Sequence, residues 1–85
     1  AKRLFTKAIA IYPYSPEARC GRGRAYLLEG GHSRAIKDFN AAIGLNPDFS
    51  EAYYHRGVAY ERMGDTEKSE ADFKKAEELG YTAED

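Results

Sequence analysis

Shifted by 34 residues, the chain superimposes on itself. Residues 16–49, PEARCGRGRAYLLEGGHSRAIKDFNAAIGLNPDF, and 50–83, SEAYYHRGVAYERMGDTEKSEADFKKAEELGYTA, agree at eleven of 34 positions. The shared positions are Glu17/Glu51, Ala18/Ala52, Arg22/Arg56, Gly23/Gly57, Ala25/Ala59, Tyr26/Tyr60, Gly30/Gly64, Asp38/Asp72, Phe39/Phe73, Ala42/Ala76 and Leu45/Leu79. Residues 1–15 match the end of the same unit through Ala1/Ala35, Phe5/Phe39, Ala8/Ala42, Ile9/Ile43 and Pro13/Pro47. The chain thus divides into the second half of a truncated unit (1–15), two whole units (16–49 and 50–83) and the start of a truncated following segment (84–85). Such a period is the mark of a solenoid. A unit this short cannot bury its apolar face alone and must stack on copies of itself.

Each unit reads as two helices. Ser15 before Pro16 supplies a side-chain acceptor at a helix start, followed by a residue with no amide to lose. Asp48 and Ser50 are expected to do the same job for the second unit, and Asp65 or Thr66 for its second helix. Gly30-Gly31 and Gly64-Asp65 are the breaks, and Asn46-Pro47 ends a second helix. The spacing predicts helices near 2–11, 16–29, 33–45, 50–63 and 66–79, joined too tightly for anything but antiparallel neighbours. Gly23 and Gly57 fall mid-helix, where glycine costs about 1 kcal/mol relative to alanine. Close approach of a second helix would explain them, with the small residues Ala35, Ser69, Ala42 and Ala76 facing the glycines. Tyr26, Tyr60, Phe39 and Phe73 would then fill the wider gaps.

The arginine- and glycine-rich stretch RCGRGRAYLLEGG (19–31) resembles a phosphate loop until the repeat is seen. Tyr26 stands where a third glycine of G-x-G-x-x-G belongs, no strand precedes it, and no G-K-[ST] follows. It is a helix.

The residues that recur also carry a family likeness. Arg19-x2-Arg22-Gly23-x2-Tyr26, Ala35-x3-Phe39 and Pro47 resemble the tetratricopeptide repeat pattern W-x2-L-G-x2-Y, A-x3-F, P. Tyr53-x2-Arg56-Gly57-x2-Tyr60 and Ser69-x3-Phe73 repeat it, with Tyr81 where proline is usual. Arginine for leucine at 22 and 56 is tolerable because the aliphatic stem buries while the charge stays wet. The resemblance implies an all-α, right-handed superhelical solenoid of antiparallel helix pairs, about five helices here. It also implies a concave groove, lined by the first helix of each unit, that binds a peptide or helix of a partner protein. On a 3.6-residue period the stripe away from the Gly23–Tyr26 seam is Glu17, Cys20, Arg24 and Leu27, with Leu28 beside it. Its counterpart is Glu51, Tyr54, Val58 and Glu61, with Arg62 beside it. These ten residues are the expected partner-binding surface. A chaperone-type carboxylate clamp is disfavoured, since Arg24 is the one suitable cation and Glu17 and Glu51 flank it.

Charge is close to balanced over the 85 residues, at −1, but residues 1–46 carry +5 and 47–85 carry −6. That asymmetry fits either attraction between basic and acidic ends or a nucleic-acid surface around Arg19, Arg22, Arg24 and Arg34. The second reading is weaker, because Tyr26 is needed in the core. No apolar run approaches a membrane span, so no membrane partner is expected. One cysteine excludes an internal disulfide and makes the cytoplasm the default location. Cys20, His32 and His55 are expected to be solvated surface residues, with no third partner for catalysis or metal. No enzyme activity and no cofactor are expected. The sequence therefore points to a protein–protein interaction scaffold belonging to a larger protein. The competing reading is a spacer with no ligand of its own, self-associating through bare end helices.

Overall fold

The computed structural model describes residues 2–82, and the start of a following segment expected at 84–85 lies outside them. Among the described residues there are five helices and no strand: α1 (Lys2–Ile11), α2 (Pro16–Leu28), α3 (His32–Leu45), α4 (Ser50–Arg62) and α5 (Thr66–Glu78). None is long and apolar enough to cross a membrane.

Local chemistry sets the ends. The Ser15 side chain accepts from the Ala18 amide at 3.2 Å, and Asp65 accepts from the Lys68 amide at 3.3 Å. Gly30 and Gly64, both at φ 84°, reverse the chain after α2 and α4. There the Gly31 amide donates to the Tyr26 carbonyl (2.8 Å) and the Asp65 amide to the Tyr60 carbonyl (2.9 Å), a Schellman closure made twice. The start of α4 differs from expectation. Phe49, not Asp48 or Ser50, is the N-cap, with no side-chain hydrogen bond. The Asp48 amide is instead turned toward Asn46 Oδ1 at 3.1 Å, which draws Phe49 against the core.

Adjacent helices pack in antiparallel pairs, and α2 also touches α4, whereas α1, α3 and α5 make no comparable contact with one another. A stack whose first helices touch while its second helices stay apart curves toward the first helices. That side is concave. The core runs through the middle of the stack, where Phe39, Ala35, Ala42, Ala52 and Ala59 are fully buried.

Two features of this packing correct the sequence reading. The nearest group to Gly23 is the ring of Phe39, which the sequence reading placed in the wider gaps: an added Cβ would lie 2.6 Å from it, and one at Gly57 would lie 2.9 Å from the Phe73 ring. The glycines are sockets for aromatic wedges. Arg22 and Arg56, in turn, do more than snorkel. Arg22 holds the buried Asp38 through Nε and Nη2 at 2.8 and 2.9 Å, and Arg56 holds Asp72 through the same atoms at 2.8 and 2.7 Å. The remaining nitrogen of each fork reaches the unit before, Arg22 Nη1 to Thr6 Oγ1 (3.4 Å) and Arg56 Nη1 to Asn40 Oδ1 (2.8 Å). Each guanidinium thus joins three helices, with partners sixteen residues before and sixteen after it. The carboxylate hydrogen bond outweighs burial, which acts in the opposite direction, and raises the pKa of both guanidiniums.

Comparing the two units exposes a weak point. Tyr53 donates its hydroxyl to the Pro47 carbonyl at 2.9 Å. Its counterpart Arg19 instead buries Nε with no hydrogen-bond partner. Arg19→Tyr is expected to restore the contact to Pro13 and stabilise the fold by about 1 kcal/mol in a urea melt. Tyr53→Phe should lose a similar amount.

Candidate functional site: the concave face of the first helices

Four faces are needed on α2, one each for α1, α3 and α4 and one for solvent, and the helical period separates the last two from the Gly23 seam. On a wheel of about 100° per residue, Cys20 and Leu27 lie roughly 50° from Gly23, while Arg24, Glu17 and Leu28 lie at about 100–140°. The nearer pair turns toward the next unit. Cys20 and Leu27 are 4% and 6% exposed and belong to the core, so the expectation of a solvated Cys20 on the groove is corrected: α4 covers it. The farther set stays open, with Leu28 84% exposed. On α4 the same wheel places Tyr54 and Glu61 on the shoulder and Val58, Glu51 and Arg62 on the open side.

Between α2 and α4 the concave face carries a hollow of about 280 Å³, walled by Leu28, Tyr54 and Val58 over Leu27 and His55, with Arg24 and Arg62 at its rim. Six of the ten residues expected to bind a partner meet here. Of the others, Cys20 is buried, Glu17 borders a hollow beside Tyr12 and Tyr14, Glu51 is an exposed first-turn residue of α4, and Glu61 lines a different hollow near Tyr81.

His55 was expected on the surface and is half-buried in the floor of this hollow. Its ring stacks on Phe39 (centroids 6.1 Å apart) and meets the edge of Tyr54 at 5.3 Å. Burial, helped by the nearby Arg24 charge, lowers its pKa to about 4. The repeat offers no warning of this residue, because its counterpart is Gly21. Burial, then the Glu51 carboxylate, pushes the Cys20 thiol up to about 12, so it is an inert packing group and not a nucleophile. Among the described residues no His, Cys, Asp and Glu cluster is placed to hold a metal.

The histidine gives a pH prediction whose sign follows from its depressed pKa. The unfolded chain takes up a proton near 6.5 and the folded chain only near 4. Stability from this group is therefore complete above about pH 6.5 and declines as pH falls toward 4. Urea midpoints measured across that range should drop on acidification, and His55→Gln should flatten the slope.

Helix pairs on a 34-residue period, curved around an open face of first helices, define a helical-repeat protein-interaction module. The family model described as TPR repeat matches residues 23–64 and the one described as tetratricopeptide repeat matches 50–79. The chain belongs to the tetratricopeptide repeat family. It is 41% identical over 73 residues to anaphase-promoting complex subunit 3 of Schizosaccharomyces pombe, covering 86% of this chain and 11% of that one. To the SGT1 homolog of Oryza sativa it is 34% identical over 82 residues, covering 96% and 21%. The chain thus spans between 11% and 21% of these relatives' lengths. The first tetratricopeptide domain of Spaghetti (RPAP3), solved with the HSP90 peptide SRMEEVD, superimposes with a TM-score of 0.90 at 29% identity, over 93% of this chain and 63% of that one.

Proposed function

We propose that the hollow between α2 and α4 binds an extended partner segment in which an apolar side chain stands next to a carboxylate. The observation that carries this reading is the pairing of Arg24 and Arg62 at the rim of an apolar depression that no carboxylate lines. The leucine and valine walls accept the anchor, and the two guanidiniums orient its acidic neighbour. Glu17 and Glu51, expected to repel an acidic segment, sit in the first turns of α2 and α4 and outside the hollow. Support of a different kind comes from the Spaghetti domain, whose bound peptide combines methionine and valine with glutamates and an aspartate.

Fluorescence anisotropy with labelled SRMEEVD, and with a version carrying lysine for each glutamate, tests the reading. The acidic peptide should bind roughly ten-fold tighter than the lysine version at low salt. Arg24→Glu should abolish the difference, while Leu28→Asp should weaken both. Both positions are exposed, so neither change disturbs the core. Equal affinity for the two peptides, or an Arg24→Glu protein that still prefers the acidic one, overturns the proposal and favours the spacer reading.

A further inference from the structure

The 34-residue register pairs the two walls of the hollow between α2 and α4 position by position. Arg24 corresponds to Val58, and Leu28 to Arg62. Both helices run antiparallel to α3, so they are parallel to each other, and corresponding residues stand at the same level on the two walls. One level therefore has arginine on α2 and valine on α4. The next level, one helical turn on, has leucine on α2 and arginine on α4. All four side chains line the hollow. The cations occupy one diagonal and the aliphatic side chains the other. A half-turn about the axis looking down into the hollow exchanges Arg24 with Arg62 and Leu28 with Val58.

This arrangement sets a length. Four residues advance about 6 Å along a helix and packed helices lie about 8–10 Å apart, so the arginine diagonal is roughly 11 Å. The floor beneath its middle is Leu27 and the ring of His55. That imidazole is uncharged at neutral pH, since burial lowers its pKa to about 4, which leaves the two guanidiniums as the charges of the lining. In an extended segment, residues two apart share a face and lie about 7 Å from each other, while immediate neighbours point away. An apolar residue seated in the middle thus brings the side chains two before and two after it over the same face, about 13 Å apart. From this match we infer that the hollow selects segments whose apolar residue has one carboxylate residue two positions before it and another two positions after it, engaging Arg24 and Arg62 together. The inference rests on the peptide reading of this groove and adds the spacing of its ligand. A half-turn leaves the pattern unchanged, so such a segment fits in either chain direction. Two carboxylates on one side of the apolar residue reach one guanidinium, because the farther one stands about 13 Å from the anchor.

Three peptides of one composition test it. SSESLSESS has a glutamate on each side of the leucine, and SSLSESESS and SSESESLSS have both on one side. Titrations of this protein followed by its amide NMR shifts read each dissociation constant, and the same spectra verify that each variant is folded. At low salt the flanked peptide should bind at least about ten-fold tighter than either one-sided peptide, the worth of one more charged hydrogen bond. The one-sided peptides should match each other. Arg24→Gln and Arg62→Gln should each bring the flanked peptide down to the one-sided affinity. The lysine peptide SSKSLSKSS separates this inference from the reading beneath it. A flanked peptide that is preferred over the lysine peptide, yet is no tighter than the one-sided ones, overturns the inference and leaves the acidic-ligand reading standing. A lysine peptide that binds as well as the flanked one overturns both, and a flanked peptide sensitive to one arginine but not the other overturns the inference alone.

Discussion

Arg56→Met is expected to cost about 3 kcal/mol, because it strands the buried Asp72 carboxylate without its cation. A chain of this length commands only about 4–13 kcal/mol in total, so the thermal midpoint should fall by about 15 °C. The double variant Arg56→Met/Asp72→Leu should recover most of the loss, since a pair replaced together by apolar groups leaves no orphaned charge. Thermal and urea melts of the two singles and the double form the cycle, and a double variant as unstable as the sum of the singles would show that the pair is not the cause. Asn40→Ala should cost much less, removing one arm of the fork and leaving the ion pair intact.

Gly23→Ala is the second large effect, and its sign is opposite to helix propensity. Alanine gains about 1 kcal/mol in a helix interior, but here its Cβ would enter the ring of Phe39, which is 0% exposed and cannot retreat. A net loss of about 1–2 kcal/mol is expected. Gly57→Ala meets the Phe73 ring, which is half-buried beside the hollow near Tyr81 and has room to shift, so its loss should be smaller. Gly44→Ala, with nothing within 4 Å, should be stabilising. The stability order Gly44→Ala, wild type, Gly57→Ala, Gly23→Ala in one set of urea melts checks the socket assignment directly.

These sockets and forks show what the repeat could and could not reveal. The five helices follow from punctuation that acts locally: Ser15, Gly30, Asn46-Pro47, Gly64 and Asp65 each close or open a helix through bonds to residues a turn away. Phe49 escapes such reasoning because its position is decided by the core it enters, not by its neighbours in sequence. The ion pairs were legible in principle. Arginine and aspartate recur together, sixteen residues apart, in both units, yet judging Arg22 and Arg56 one helix at a time hides the partner on the next. For the groove, the wheel of a single helix separates seam from non-seam but cannot divide the non-seam side between the next unit and water. Cys20 is assigned to the groove for that reason, and only the contact with α4 reassigns it, while Leu27 belongs both to the core and to the floor of the hollow. His55 has no recurring counterpart, so periodicity carries no information about it.

The three-armed guanidiniums also determine how the molecule comes apart. Arg22 and Arg56 each bind their own unit through two hydrogen bonds and the unit before through one, so every internal boundary is stitched from the downstream side. Losing α1 sacrifices the long bond from Arg22 to Thr6 and the exposed Lys2–Glu29 ion pair (2.9 Å), whereas losing α5 strips the whole Asp72 end of the Arg56 fork. Amide hydrogen exchange should accordingly be polar along the chain: fastest in α1, slowest in α3, which has helices packed on both sides, and intermediate in α5. Breathing begins at the amino-terminal end, and the helix that frees itself first is the basic one.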